Sequence, residues 1–126
     1  MKQRMNAEIL EIKKRKVVKL SIPTVEGYTF VDHNDIIYLS ALGNSTEIHF
    51  DGGKKMVSSK NLGQFEIELI EQPFIRIHDS TIVNLNKVKT YIRADNGWVK
   101  LDNGNELKVS DGRKDDLLVF FRSTKK

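Results

Sequence analysis

The sequence predicts a mainly β domain of about ten short antiparallel strands, with one amphipathic helix over about 59–72 and short terminal helices. Three observations carry this. Apolar residues alternate with polar ones in short runs, as in Val18, Leu20 and Ile22 against Lys19 and Ser21, and again at Ile48 and Phe50. Turn signals punctuate the chain at hairpin spacing: Asp51-Gly52-Gly53, Asp95-Asn96-Gly97 and Asp102-Asn103-Gly104. Within the body, only Leu62, Phe65, Leu69 and Ile70 repeat as a strong helical stripe. Strands joined by tight turns make hairpins, not βαβ units.

The 126 residues suffice for one domain with its own core. There is no cysteine, hence no disulfide and no thiolate metal site. No apolar run approaches the ~18 residues of a membrane span. The first twenty residues are basic but lack the apolar stretch of a secretory signal. A cytoplasmic domain without a membrane partner is expected. The net charge of +4 is unevenly spread. Residues 1–20 hold seven basic side chains against two acidic. Residues 21–72 hold three against eight, and residues 73–126 eleven against seven. A basic second half suits nucleic acid, although many basic domains bind none.

Taken in order, residues 3–16 read as an exposed helix with a narrow stripe of Met5, Ile9 and Ile12. Lys13 to Lys16 crowd its last turn, where cations suit the helix dipole. It is either a solvated terminal helix or a linker from an upstream domain. Residues 1–16 are therefore set apart from a body of 17–126. A strand from Val17 ends at Pro23, Glu26-Gly27 turns, and Tyr28 to Val31 returns. Asp32-His33-Asn34-Asp35 is turn chemistry. Ile36 to Leu39 is a short buried strand, followed by a small polar segment with Gly43. Lys54 to Val57 pairs back after Asp51-Gly52-Gly53.

Ser58 and Ser59 offer caps for the helix, and Pro73 stops it. The stretch from Phe74 to Asn84 follows: an alternation through Ile77 and His78, a polar knot of Asp79-Ser80-Thr81, then Ile82-Val83-Asn84. Val88 to Ile92, Trp98 to Leu101 and Glu106 to Val109 make a three-stranded meander. Ser110 and Asp111 cap a last short helix carrying Leu117, Leu118, Phe120 and Phe121.

Catalytic chemistry finds little footing. No Gly-x-Ser-x-Gly elbow and no phosphate loop occurs. His78, Asp79 and Ser80 carry the letters of a hydrolase triad, but strand neighbours point to opposite faces. His33, His49 and His78 lack ligand spacing. Neither enzyme activity, cofactor nor metal is expected. Trp98 and Tyr91 would suit a stacking platform, yet Trp98 is expected in the core. Three polar corners remain: Gly43-Asn44-Ser45-Thr46, His78-Asp79-Ser80-Thr81 and Ser110-Asp111-Gly112-Arg113-Lys114. They are either ordinary turns or binding fingers on a rigid sheet.

The run Phe74-x-Arg76-x-His78-x-Ser80-x-x-Val83-Asn84 resembles the signature of the LytTR family, DNA-binding output domains of bacterial response regulators. Other markers fall in the family's order: Asp35-Ile36-Ile37-Tyr38, then Ala41-x-Gly43-Asn44-x-Thr46, Leu62 and Leu69 in the helix, and Leu107-x-Val109-Ser110. The resemblance spans roughly residues 17–121. It implies an elongated β fold that reads double-stranded DNA through loops in successive major grooves. The three corners would be those loops, with Asn44, Ser45 and Thr46 in the first. His78, Asp79 and Ser80 fall in the second, and Gly112, Arg113 and Lys114 in the third. Arginine suits guanine O6/N7, asparagine suits adenine, and serine or lysine suits phosphate. Arg76 would pair an acid and Asn84 would cap backbone.

The chain departs from the pattern at Asp79, where an amide or basic residue is common. It departs again at Asp111-Gly112, which displaces the cation to Arg113, and at Ser45, where an aromatic is usual. The resemblance further implies paired repeat sites bound by two copies, and a receiver domain upstream that this chain lacks. The expectation is a sequence-specific transcriptional regulator domain, an output domain or a stand-alone relative. The rival is a β-rich protein-interaction module.

Overall fold

The computed structural model describes residues 6–13 and 19–123. The boundary expected at 16/17, the basic run 14–16, the strand start at Val17 and Val18, and the tail 124–126 lie outside them. A helix, α1 (Asn6–Lys13), falls within the helix expected over 3–16, and its Ile9 and Leu10 are exposed. Ten strands follow among the described residues. They are β1 (Lys19–Thr24), β2 (Gly27–Asp32), β3 (Ile36–Leu42), β4 (Ser45–Phe50) and β5 (Lys55–Ser58). After helix α2 (Leu62–Glu68) come β6 (Phe74–His78), β7 (Thr81–Asn84), β8 (Val88–Ile92), β9 (Trp98–Leu101) and β10 (Glu106–Lys108). Helix α3 (Asp111–Ser123) closes the fold.

Every strand pairing is antiparallel, as hairpin connections dictate. The central sheet runs β5-β4-β3-β7-β6, flanked by the ribbon β1-β2 and the sheet β10-β9-β8. Both faces of the central sheet are covered. On one, Ile36, Leu39, Ile48, Phe74 and Ile82 pack with Ile22 of the ribbon, Leu62 and Phe65 of α2, and Leu69 just after it. On the other, Ile37, Ile77 and Val83 meet Val99 and Leu101 of β9, Val109, and Leu117 of α3. Two-sided burial explains the adjacent apolar pairs Ile36-Ile37 and Ile82-Val83 in place of strict alternation. A β-bulge between Ile36 and Tyr38 shifts the face parity, so Leu39 returns to the side of Ile36.

Asn84 is fully buried, and it ties the sheet together as expected of a backbone cap. Its amide donates to the Ile36 carbonyl at 2.9 Å, and its oxygen accepts from the Asn86 N–H at 2.9 Å.

Several expectations need correction. Helix α2 is seven residues long and starts at Leu62, not near 59. Its cap is Asn61, which forms a reciprocal capping box with Gln64. Ser58 belongs to β5, and its hydroxyl donates to the Pro23 carbonyl at 2.8 Å. After Glu68 the chain winds through turns up to Pro73. Ile70 is consequently 76% exposed and off the apolar face. Pro23 does not end β1; it pairs with Tyr28 inside it. Helix α3, with 13 residues, is not short. Trp98 lies outside both cores, with the Lys108 ammonium 5.2 Å above its ring, because Val99 and Leu101 take the inward positions of β9.

Candidate nucleic-acid interface

The three polar corners lie at one end of the central sheet. Strand β3 pairs with β7 up to Ser40 opposite Thr81, and the Ala41 N–H donates to the Ser80 carbonyl at 2.9 Å. The β3–β4 hairpin thus rises beside the β6–β7 corner and continues past it through Leu42, by about 7 Å for two strand residues. Its tip is Gly43 and Asn44, both exposed, with Gly43 at φ +61°, where a side chain would be strained. On the other flank the Ser110 N–H donates to the Ile77 carbonyl at 2.8 Å, placing the start of α3 against β6. The Arg113 Nη2 then lies 3.7 Å from the Asp79 carboxylate. Hairpin, corner and helix start form a continuous row.

Within the first corner the turn is shorter than expected. Ser40, Ala41 and Leu42 belong to β3, while Ser45 and Thr46 open β4. Ser45 is half-buried. Thr46 is fully buried, and its hydroxyl donates to the Lys60 carbonyl at 2.8 Å. A side chain so enclosed cannot touch a ligand; Thr46 anchors the hairpin to the segment leading into α2. This corrects its place among the expected contacts.

The second corner is shaped by Arg76. Its guanidinium donates to Glu66 of α2 at 2.8 Å, to the His78 carbonyl at 3.2 Å, and to the Asp79 carbonyl. The expected acid partner is therefore Glu66, and the corner's own carbonyls take up the rest of the fork. The Ser80 N–H donates to His78 Nδ1 at 3.2 Å, with the Ser80 hydroxyl 3.0 Å from the same atom. An accepting Nδ1 puts the proton of the neutral ring on Nε2, by assignment from these contacts. Asp79 stands at the tip, its side chain 93% exposed.

The third corner is not a loop. Asp111 and Gly112, with Arg113 and Lys114, form the first turn of α3. Helical geometry brings Lys114 within 3.9 Å of Asp111 and directs Arg113 toward Asp79 and Glu66. Glu66 lies in α2, ten residues before Arg76. It is the carboxylate behind both arginines, at 2.8 Å from Arg76 and 3.9 Å from Arg113. No local pattern signals this, since the three residues meet only in space.

Another polar cluster lies on the face that turns away from α2. The Tyr38 and His49 rings stack with centroids 4.0 Å apart. Ser40 Oγ and Glu47 Oε1 approach His49 at 3.2 and 3.4 Å. Both meet the same nitrogen, Nε2, whereas a proton relay needs partners on opposite nitrogens. Burial lowers the His49 pKa, and Lys55 lowers it further, outweighing the opposing effect of Glu47. The unfolded chain then binds more protons than the folded one below the ordinary histidine value of about 6.5. Stability is expected to fall as pH drops through and below that value. Replacing His49→Gln should flatten the fall, as read by urea midpoints at about pH 7.5 and about pH 5.5. Equal slopes in both proteins would exclude His49 as the cause.

Among the described residues no three His, Asp or Glu side chains gather to hold a metal, and no helix is long and apolar enough to cross a membrane.

Fold and tip row together describe a β scaffold that presents polar residues of three distant segments from one end. The chain belongs to the LytTr DNA-binding domain family, whose profile matches residues 26–121. Sensory transduction protein LytT of Oceanobacillus iheyensis is 31% identical over 91 residues, which cover 72% of this chain. The chain spans only 37% of that relative's length. A solved LytTr DNA-binding domain from Bacillus cereus has the same fold, with a TM-score of 0.72 at 24% identity. The match covers 84% of this chain and 98% of that one. Family membership makes the chain a DNA-binding domain of a kind that serves transcription regulation.

Proposed function

We propose that the row of three tips is the surface that reads double-stranded DNA. The observation that carries this is the continuity of the row, joined by the Ala41–Ser80 hydrogen bond and the Asp79–Arg113 ion pair. Asn44 at the hairpin tip suits an adenine edge, and Arg113 suits guanine at a matching site and a phosphate on any other duplex. His78 offers its Nε2–H as a donor. Ser45, Ser80 and Lys114 suit phosphates, and the Gly112 backbone allows close approach. Successive major grooves would take the outer tips, with the Asp79 corner between them. We further read residues 1–16 as a linker from a receiver domain, and the binding site as paired repeats taking two copies in the cytoplasm.

Duplex affinity measured against salt tests this. Two neutralised phosphates, one each at Arg113 and Lys114, weaken binding about tenfold between ~50 and ~200 mM salt. Absent or salt-insensitive binding overturns the reading. That outcome favours a protein-interaction module, for which Tyr28 and Phe30, 69% and 61% exposed on the outer face of β2, offer apolar contact area.

A further inference from the structure

Four charged groups meet where the second and third tips touch: Arg76, Arg113, Glu66 and Asp79. Their formal charges cancel. The two arginines are held differently. The Arg76 guanidinium has a 2.8 Å ion pair and two carbonyl partners, and its side chain is 17% exposed. Among the described residues Arg113 has two loose carboxylate neighbours, Asp79 at 3.7 Å and Glu66 at 3.9 Å, and its side chain is 32% exposed. Arg76 is fixed architecture, while Arg113 can exchange partners. Asp79 is the most exposed member and follows directly on the strand that ends in His78.

We propose that Asp79 is a specificity-determining residue that acts as an internal substitute for a DNA phosphate. In the free protein its carboxylate takes Arg113, which a duplex must win by displacing it. An arbitrary duplex offers only phosphates, which gain little over the carboxylate already in place. A matching site adds base-edge contacts that repay the exchange. Asp79 thereby lowers non-specific affinity more than specific affinity, and that ratio governs site selection among many competing sequences. This inference rests on the reading of the tip row as the DNA surface.

A double-mutant cycle on a mixed-sequence duplex, read by fluorescence anisotropy at about 50 mM salt, tests it. Asp79→Asn is expected to tighten binding about threefold or more, as the loss of one competing exposed ion pair. The sign of the coupling with Arg113 is decisive. A carboxylate that merely repels phosphate gives Asp79→Asn the same gain in an Arg113→Ala background. One that stays paired and aims Arg113 in the complex gives a smaller gain with the arginine present. Competition for Arg113 predicts a gain about twofold or more larger with the arginine present than without it, the range of an exposed ion pair. An equal or smaller gain, or no tightening at all, overturns the inference. Both side chains lie at the surface, and unchanged urea midpoints show that each variant is folded. Complete absence of wild-type duplex binding is a separate result: it removes the DNA reading, and this inference falls with it.

Discussion

Leu117→Ala is expected to destabilise the domain by about 2–5 kcal/mol and to weaken duplex binding in the same variant. Leu117 is fully buried against residues of β6, β7 and β9. Shortening it removes transfer free energy and leaves a cavity that a close-packed interior fills only in part. The consequence for binding follows from topology. Arg113 and Lys114 lie one turn before Leu117 on the same helix, so the residue that seats α3 also places the third tip. The measurement is a urea titration of the wild type and variant, paired with duplex affinity under conditions where both are folded. A loss below ~1 kcal/mol would mean that α3 contributes little to the second core. An unchanged affinity in a folded variant would mean that the helix start does not reach DNA.

Arg76→Ala is expected to cost about 2–3 kcal/mol. The change removes a charged hydrogen bond to Glu66 and the donors to the carbonyls of His78 and Asp79. Glu66 is 42% exposed on its side chain and can rehydrate, which keeps the loss below that of a fully buried pair. Arg76→Lys separates charge from shape. An ammonium restores the ion pair but cannot span Glu66 and both carbonyls at once, so the lysine variant should keep most of the loss. A lysine variant as stable as wild type would show that charge alone matters here. Amide chemical shifts of Asp79 and Ser80 should move in both variants, since the guanidinium sets the corner they form.

The strands were legible from the chain itself, because alternation and Asn-Gly or Asp-Gly turns act over a few residues. The LytTR signature was legible for the same local reason: His78, Ser80 and Asn84 fall within one hairpin. Two local cues nevertheless misled. Ser58 and Ser59 looked like caps, yet Asn61 with Gln64 made the better reciprocal pair. Ile70 matched the helical stripe, yet the turns before Pro73 carried it into solvent.

Thr46 marks where local reading ends. Its residue type and place in a small polar run suit a binding tip. Its burial depends on Lys60, which the β4–β5 pairing brings alongside and no short-range pattern announces. The same holds for the site as a whole. Residue order along the chain names the polar corners, since turn chemistry is local. That these corners form one row, that Glu66 stands behind two arginines, and that Asp79 faces Arg113 are products of strand register and helix docking. Such contacts join residues far apart along the chain, so they exist only once both faces of the central sheet are packed.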